Sequence, residues 1–163
     1  MRRKSCEVTD IKKIEKILAS TNIGRLSTNG SDGYPYITPV NFVYYKKCIY
    51  FHTALKGEKL DNIARDSKVC FEVDVPLSYI EVDFNPHKDP CRTHQFFHCV
   101  IMRGRARMVT DDKLKTAAMT ALVEKHEGRS GFTPIRKSQG YKGCGVIEIV
   151  PENKPLNPIP AKA

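Results

Sequence analysis

The sequence contains no tryptophan and no long apolar run. None of its stretches approaches the roughly 18 uninterrupted apolar residues of a membrane-spanning helix. The basic start at Met1–Lys4 is not followed by the apolar segment of a signal peptide. We therefore expect a cytoplasmic protein that makes no membrane contact.

Acidic residues are also few: 18 stand against 27 basic ones, giving a formal net charge of +9. This excess favours an anionic partner, such as nucleic acid, a membrane surface or a phosphate-bearing small molecule. No basic block is interleaved with stacking aromatics, so nucleic acid is disfavoured. The six cysteines are scattered, which is typical of reduced, buried thiols and not of a secreted disulfide framework.

Short extended segments dominate the hydrophobic pattern. It predicts six strands, at residues 23–28, 34–45, 48–53, 68–75, 96–110 and 143–150. Three helices are also predicted. The first, capped by Thr9 or Asp10, precedes the strands. The second opens at Gly57 with Leu60, Ile63 and Ala64 inward, and the third starts at Asp111–Asp112. The two groups of strands favour a mainly β fold, a closed six-stranded antiparallel barrel with capping helices, over a sheet of βαβ units. We expect one domain over residues 1–150 and an extended, Pro-rich tail over 151–163.

The segment Phe51–Lys59 joins a predicted strand to a predicted helix. A bend at Gly57 in such a junction exposes free backbone N–H groups to an anion. Its polar side chains could add a ring donor, a hydroxyl and two positive charges, from His52, Thr53, Lys56 and Lys59. The segment therefore suits a phosphate group, although it lacks the spacing of a Walker loop. A solvated loop with surface lysines is the alternative on the residues alone.

Five short motifs follow one another along the chain: Ile23–Thr28, Gly33–Phe42, Ile49–Thr53, Gly57–Leu60 and Val69–Val73. In this order and spacing they resemble the pyridoxamine 5'-phosphate oxidase-like flavoproteins, and among these the nitroimidazole-resistance (Nim-type) branch. The basic start and the strand Val100–Ala106 are similar to that branch as well. Each motif is loose by itself, but the ordered set is specific and covers about residues 1–127.

The resemblance implies a split β-barrel homodimer with flavin mononucleotide (FMN) in a cleft at the subunit interface. One strand would lie along the flavin ring system, through Thr38, Pro39, Val40 and Asn41. The phosphate and ribityl chain would be held by the segment containing Phe51, His52, Thr53, Lys56, Gly57 and Lys59. The strand through Cys99 would approach the same site, either within the chain or from the partner subunit.

The chain departs from the Nim-type pattern at two places. Where the branch has Tyr-Arg-Ser, this chain has Phe97-His98-Cys99, which removes a hydroxyl and a guanidinium. A Thr-Gly-Lys near the C-terminus is replaced by the Pro-rich stretch Pro151–Pro160. The resemblance therefore implies the cofactor but leaves the substrate open.

The function implied by the resemblance is that of an FMN-dependent oxidoreductase. It would reduce a small electron-poor substrate, such as a nitro-aromatic, with electrons from NAD(P)H or another cellular donor. His52 is the best candidate for a proton donor, because imidazole titrates near neutral pH. The alternatives are a flavin-binding or electron-carrier module without a dedicated substrate, and a heme-binding barrel.

Metal-ligand side chains are densest around a predicted loop, at His87, Cys91, His94, His98 and Cys99. Cys91 and His94 have the two-residue gap found in zinc sites. No second pair completes a tetrahedral set, so surface histidines beside a buried cysteine are the preferred interpretation. A Cys99 nucleophile served by His98 or His52 is disfavoured too. His98 is poorly placed to serve Cys99, because neighbours on a strand point to opposite faces.

Overall fold

The computed structural model of the protein describes residues 7–128 and 131–152 and the backbone of Ile159–Pro160. The helices are α1 (Ile11–Ser20), α2 (Glu58–Arg65) and α3 (Asp112–Glu127). The strands are β1 (Ile23–Asn29), β2 (Pro35–Asn41), β3 (Val43–Tyr45), β4 (Cys48–Thr53), β5 (Lys68–Ile80), β6 (His94–Met108), β7 (Gly145–Pro151) and β8 (Ile159–Pro160). Most of the Pro-rich tail predicted over 151–163 lies outside the described residues. No helix in the described part of the chain is long and apolar enough to cross a membrane.

All these strands belong to one antiparallel sheet, in the order β2-β1-β5-β6-β7-β4-β3, with β8 paired to β6. The two ends of this path, β2 and β3, are consecutive in the chain and separated only by Phe42. The sheet therefore curls until its ends meet at a single residue, and no ladder among the described residues closes it. This architecture confirms the mainly β split barrel with capping helices. The closure predicted from the strand pattern was wrong, because β2 and β3 form the two ends of the path and do not pair with each other in the described part of the chain.

Seven strands lie along this path, although six were predicted, because the strand predicted over 34–45 breaks at Phe42. The Phe42 side chain is completely buried and packs edge-on against Phe71, with ring centroids 4.9 Å apart. Its carbonyl accepts a hydrogen bond from the Lys125 ammonium at 3.0 Å. The prediction for β5 was also too short, since this strand continues beyond Val75 to Ile80.

The main core fills the inside of the curled sheet. Alternate residues of each strand point inward, as the period of a strand requires, and α1 and α2 add side chains at the barrel ends. The largest completely buried members are Phe42, Phe51, Phe71, Leu18, Leu26, Ile49, Ile147 and Ile149. A second, smaller core lies outside the barrel, where α3 covers β3, β4 and β7 through Val43, Tyr50, Ala118, Leu122 and Val146.

Lys125 connects three parts of this architecture. Its ammonium extends from α3 and donates to the carbonyls of Phe42 and Leu18, both at 3.0 Å. The same nitrogen lies 3.6 Å from the centroid of the Phe42 ring, a favourable position for a cation. Burial lowers the pKa of Lys125 to about 8. The end of α1, the strand break and α3 therefore share one hydrogen-bonding group.

Replacing Lys125 with Met should lower the free energy of unfolding by about 1–3 kcal/mol, because the carbonyls of Phe42 and Leu18 lose their donor. Urea unfolding followed by circular dichroism measures this loss. Lys113→Met, at an exposed position of α3, is the matched control and should change stability by no more than about 0.5 kcal/mol. Equal effects of the two substitutions would contradict the role given to Lys125.

Candidate functional site

The predicted phosphate segment forms a strand-to-helix junction. Strand β4 ends at Thr53, and Gly57 is the N-terminal cap of α2 with φ +134°. This backbone conformation is disfavoured for any residue with a Cβ atom, so glycine is required at the bend. No side chain caps the helix here. The N–H groups of Leu60 and Asp61 donate to the Gly57 carbonyl, so those of Glu58 and Lys59 are the ones that start the helix without an intrahelical partner. The junction thus offers free donors, although Glu58 and Asp61 in the first turn oppose a bound anion.

Two threonines of the predicted site have unsatisfied hydroxyl groups. Thr38 on β2 and Thr53 on β4 both point toward the interior of the barrel. Their Oγ1 atoms are buried and have no hydrogen-bond partner among the described residues. Such a group costs about 1–3 kcal/mol when it stays unpaired. β2 and β4 contact each other, so the strands that carry the two hydroxyl groups are neighbours in the curled sheet.

The other predicted residues divide into those that can offer side chains and those that can offer only backbone. Lys56 is exposed, and the Lys59 ammonium lies 5.8 Å from the centroid of the Phe51 ring. Phe51 and Val40 are buried in the main core, so only their backbone could contact a ligand. Pro39 and Asn41 are exposed on the outer face of β2.

Asn41 and His52 meet at a cavity of about 310 Å³ between the barrel and α3. His52 is exposed and, by strand alternation, lies on the face of β4 opposite Phe51 and Thr53. The remaining lining residues come from α3 and the segment after it: Met119, Leu122, Val123, His126, Glu127, Ile135 and Ser138. The structure therefore brings two predicted site residues together with residues of α3 and the following segment that were not predicted to belong to a site.

The far wall of the cavity is attached to α3 by polar contacts. Lys115 donates to the carbonyls of Tyr141 and Cys144, at 3.0 and 2.5 Å. Arg136 donates from Nε to the Thr116 hydroxyl at 2.9 Å and forms an ion pair with Asp112. These contacts hold the segment that carries Ile135 and Ser138 against the helix, so the cavity is formed by the fold itself.

His126 is the polar group that α3 contributes to the cavity. Its Nε2 atom is buried and has no hydrogen-bond partner among the described residues. Burial lowers the pKa of His126, as do the nearby charges of Lys125 and His52, while a hydrogen bond to the Phe42 backbone raises it. The net shift is downward, so the ring is neutral at pH 7. Its spacing of four residues from the apolar Leu122 places both on one face of the helix, and this signal was available in the sequence.

Cys99 does not line this cavity. It lies opposite Asp74 on the outer face of β5 and β6, and its thiol donates to Glu72 at 3.4 Å. Burial, reinforced by Glu72, raises the pKa of Cys99 to about 12. The thiol therefore stays protonated and is unsuited to act as a nucleophile.

The cluster considered as an alternative metal site shows no suitable geometry. In the described part of the chain, no three His, Cys, Asp or Glu side chains are placed to hold a metal ion. His87 and Cys91 are exposed in the loop between β5 and β6, while His94 and His98 are partly buried on β6. All five cysteines in the described residues are free thiols.

The sequence matches the model of the pyridoxamine 5'-phosphate oxidase family over residues 10–153. Among curated proteins, none has a sequence that matches this chain. The matched residues include the strands of the barrel and the junction between β4 and α2. The family match therefore covers the candidate site.

Several solved structures share the fold. A candidate 5-nitroimidazole antibiotic resistance protein from Bacteroides thetaiotaomicron is 17% identical, with a TM-score of 0.73 over 90% of this chain and 82% of that one. The FAD and heme binding protein from Mycobacterium smegmatis is 10% identical, with a TM-score of 0.76 over 96% and 74%. The flavocytochrome Anf3 from Azotobacter vinelandii is 15% identical, with a TM-score of 0.72 over 100% and 82%. At these identities the likeness demonstrates a common fold.

Proposed function

We propose that this protein, which belongs to the pyridoxamine 5'-phosphate oxidase family, binds FMN at the junction between β4 and α2. The observation that carries the proposal is the junction itself: an uncapped helix start at Gly57, two lysines and a buried threonine hydroxyl without a partner in the described residues. A phosphate needs several short hydrogen bonds and positive charge on a backbone that it can approach closely. The fold neighbours that are named as flavin proteins support the same cofactor class.

The donor set fits the two ends of FMN. Lys56 and Lys59, with the backbone N–H groups of Glu58 and Lys59, would hold the phosphate. The unpaired hydroxyls of Thr38 and Thr53 would pair with ligand groups that lie against strands β2 and β4. The Oγ1 atoms of Thr38 and Thr53 are shielded from solvent. A ligand group that pairs with either one would therefore be in direct contact with its strand. Asn41, exposed at the end of β2, would face the polar edge of the ring system.

Bound FMN would supply the hydride or electron transfer, while the protein provides orientation and access. His52 lies on the outer face of β4 at the cavity, where its imidazole would deliver a proton to a reduced substrate. We infer an oxidoreductase acting on a small electron-poor substrate such as a nitro-aromatic, with NAD(P)H or another cellular donor as reductant. The cavity beside His52 favours this function over a carrier, because a carrier needs no space for a substrate.

A homodimer is part of the same proposal. α3 covers the outer face of β3, β4 and β7, while the outer face of β1 and β2 exposes Ile23 and Ile37, which are 56% and 61% exposed. Exposed apolar side chains on a sheet face favour an interface. Cys99 is buried on the same side of the sheet, on β6, so the predicted contact of its strand with the cofactor would be made across the interface.

Replacing both Lys56 and Lys59 with Ala should weaken FMN binding by more than about 2 kcal/mol, or roughly 30-fold in Kd, because two charge-assisted contacts are lost. Quenching of FMN fluorescence on titration with apoprotein gives the Kd. The paired control is Lys12→Ala with Lys16→Ala, which removes the same charge from the exposed face of α1. An unchanged Kd in the Lys56 and Lys59 variant would place the phosphate elsewhere.

Replacing Ile37 with Asp should shift the protein from dimer to monomer, because a carboxylate would be buried without a partner in the proposed interface. Sedimentation velocity measures the change in mass. Ile11→Asp is the matched control, because Ile11 is 52% exposed on α1, away from this sheet face. The proposal would be wrong if the wild type sediments as a monomer, or if both variants keep the same dimer.

A further inference from the structure

The cavity beside the proposed flavin site has a chemical character of its own. Its volume of about 310 Å³ is at the lower end of the range for small-molecule sites. Its walls are largely apolar, from Met119, Leu122 and Val123 on α3 and Ile135 in the segment after this helix. Apolar walls at this size suit a single aromatic ring with few substituents.

The cavity adjoins the proposed flavin site without containing its phosphate end. Of the predicted cofactor contacts, Asn41 and His52 line it, while Thr53, Lys56 and Lys59 do not. A molecule in the cavity would therefore contact His52 from the side of α3. This is the position that a substrate of a flavin enzyme needs, next to the ring and away from the phosphate.

His126 determines which polar group such a molecule should carry. Burial and the nearby charges of Lys125 and His52 lower its pKa, so the ring is neutral at pH 7 and carries a lone pair on one nitrogen. The Nε2 atom is shielded from solvent and has no hydrogen-bond partner in the described residues. With the ring proton on Nδ1, Nε2 offers that lone pair. A ligand O–H or N–H group would satisfy it and recover the cost of burying an unpaired polar atom.

We propose that this cavity binds a small aromatic ring bearing an O–H or N–H group, and that His126 accepts a hydrogen bond from that group. The inference rests on the proposed flavin function and names the substrate class of the same site. Met119, Leu122 and Val123 contact the ring faces, and His52 lies on the opposite side. His126 is a binding residue, and His52 delivers the proton.

The test compares 3-nitrophenol with 3-nitrotoluene, which have nearly the same shape and differ by a hydroxyl in place of a methyl group. Their affinities for FMN-loaded protein at pH 7 are measured by calorimetry, and the imidazole proton signals of His52 and His126 are followed by NMR. We expect 3-nitrophenol to bind the wild type roughly tenfold more tightly, the value of one hydrogen bond to a buried acceptor. The preference should fall below twofold in His126→Phe and persist in His126→Gln, which keeps an acceptor oxygen. His87→Phe, in the exposed loop, should behave as the wild type.

The possible failures are distinguishable. Equal affinity of the wild type for the two ligands overturns the inference even if His126→Phe does not fold. A preference that survives in His126→Phe also overturns it. If His126→Phe weakens FMN binding tenfold, the cavity holds the flavin itself and not a substrate. If the wild type fails to bind FMN, the proposed function is wrong, whatever the two aromatic ligands do.

Discussion

The break in the sheet at Phe42 is the constraint on which the rest of the fold depends. Strands β2 and β3 could have formed one long edge strand, but at Phe42 the chain passes from one end of the sheet to the other. The completely buried ring fixes this point inside the barrel against Phe71. Lys125 supplies the hydrogen bond to the Phe42 carbonyl and also binds the end of α1. Because Lys125 belongs to α3, the same contact fixes the helix that forms one wall of the cavity.

The period of a strand explains why the proposed site has two sides. On β4, Thr53 points into the barrel and His52 points out toward α3, so one strand end presents a hydroxyl on one face and an imidazole on the other. The proposed phosphate contacts lie where β4 runs into α2, beyond both. A cofactor held at this end of the strand would separate the barrel interior from the α3 cavity. The two faces would then have different roles, with the hydroxyl contact to the cofactor on the inner face and proton delivery on the outer one.

Much of this arrangement could be predicted from local patterns. The three helices and the bend at Gly57 are confirmed, because caps and apolar spacing are properties of short segments. The break at Phe42 could not be predicted, since it depends on a lysine 83 residues further along the chain. The inner face predicted for α2 was wrong at Ala64, which is exposed, while Asn62 is buried and donates to Thr28 at 3.1 Å. A polar residue becomes a core residue only when a distant partner satisfies it, and helical spacing does not reveal that partner.

The central claim is that the chain binds a flavin, and the visible absorption spectrum of the purified protein tests it most directly. We expect the two bands of oxidised flavin, either in the protein as isolated or after FMN is added and excess cofactor is removed. A colourless protein that retains no FMN after this treatment would contradict flavin binding. A Soret band without flavin absorption would contradict it as well, and would identify the barrel as a heme protein.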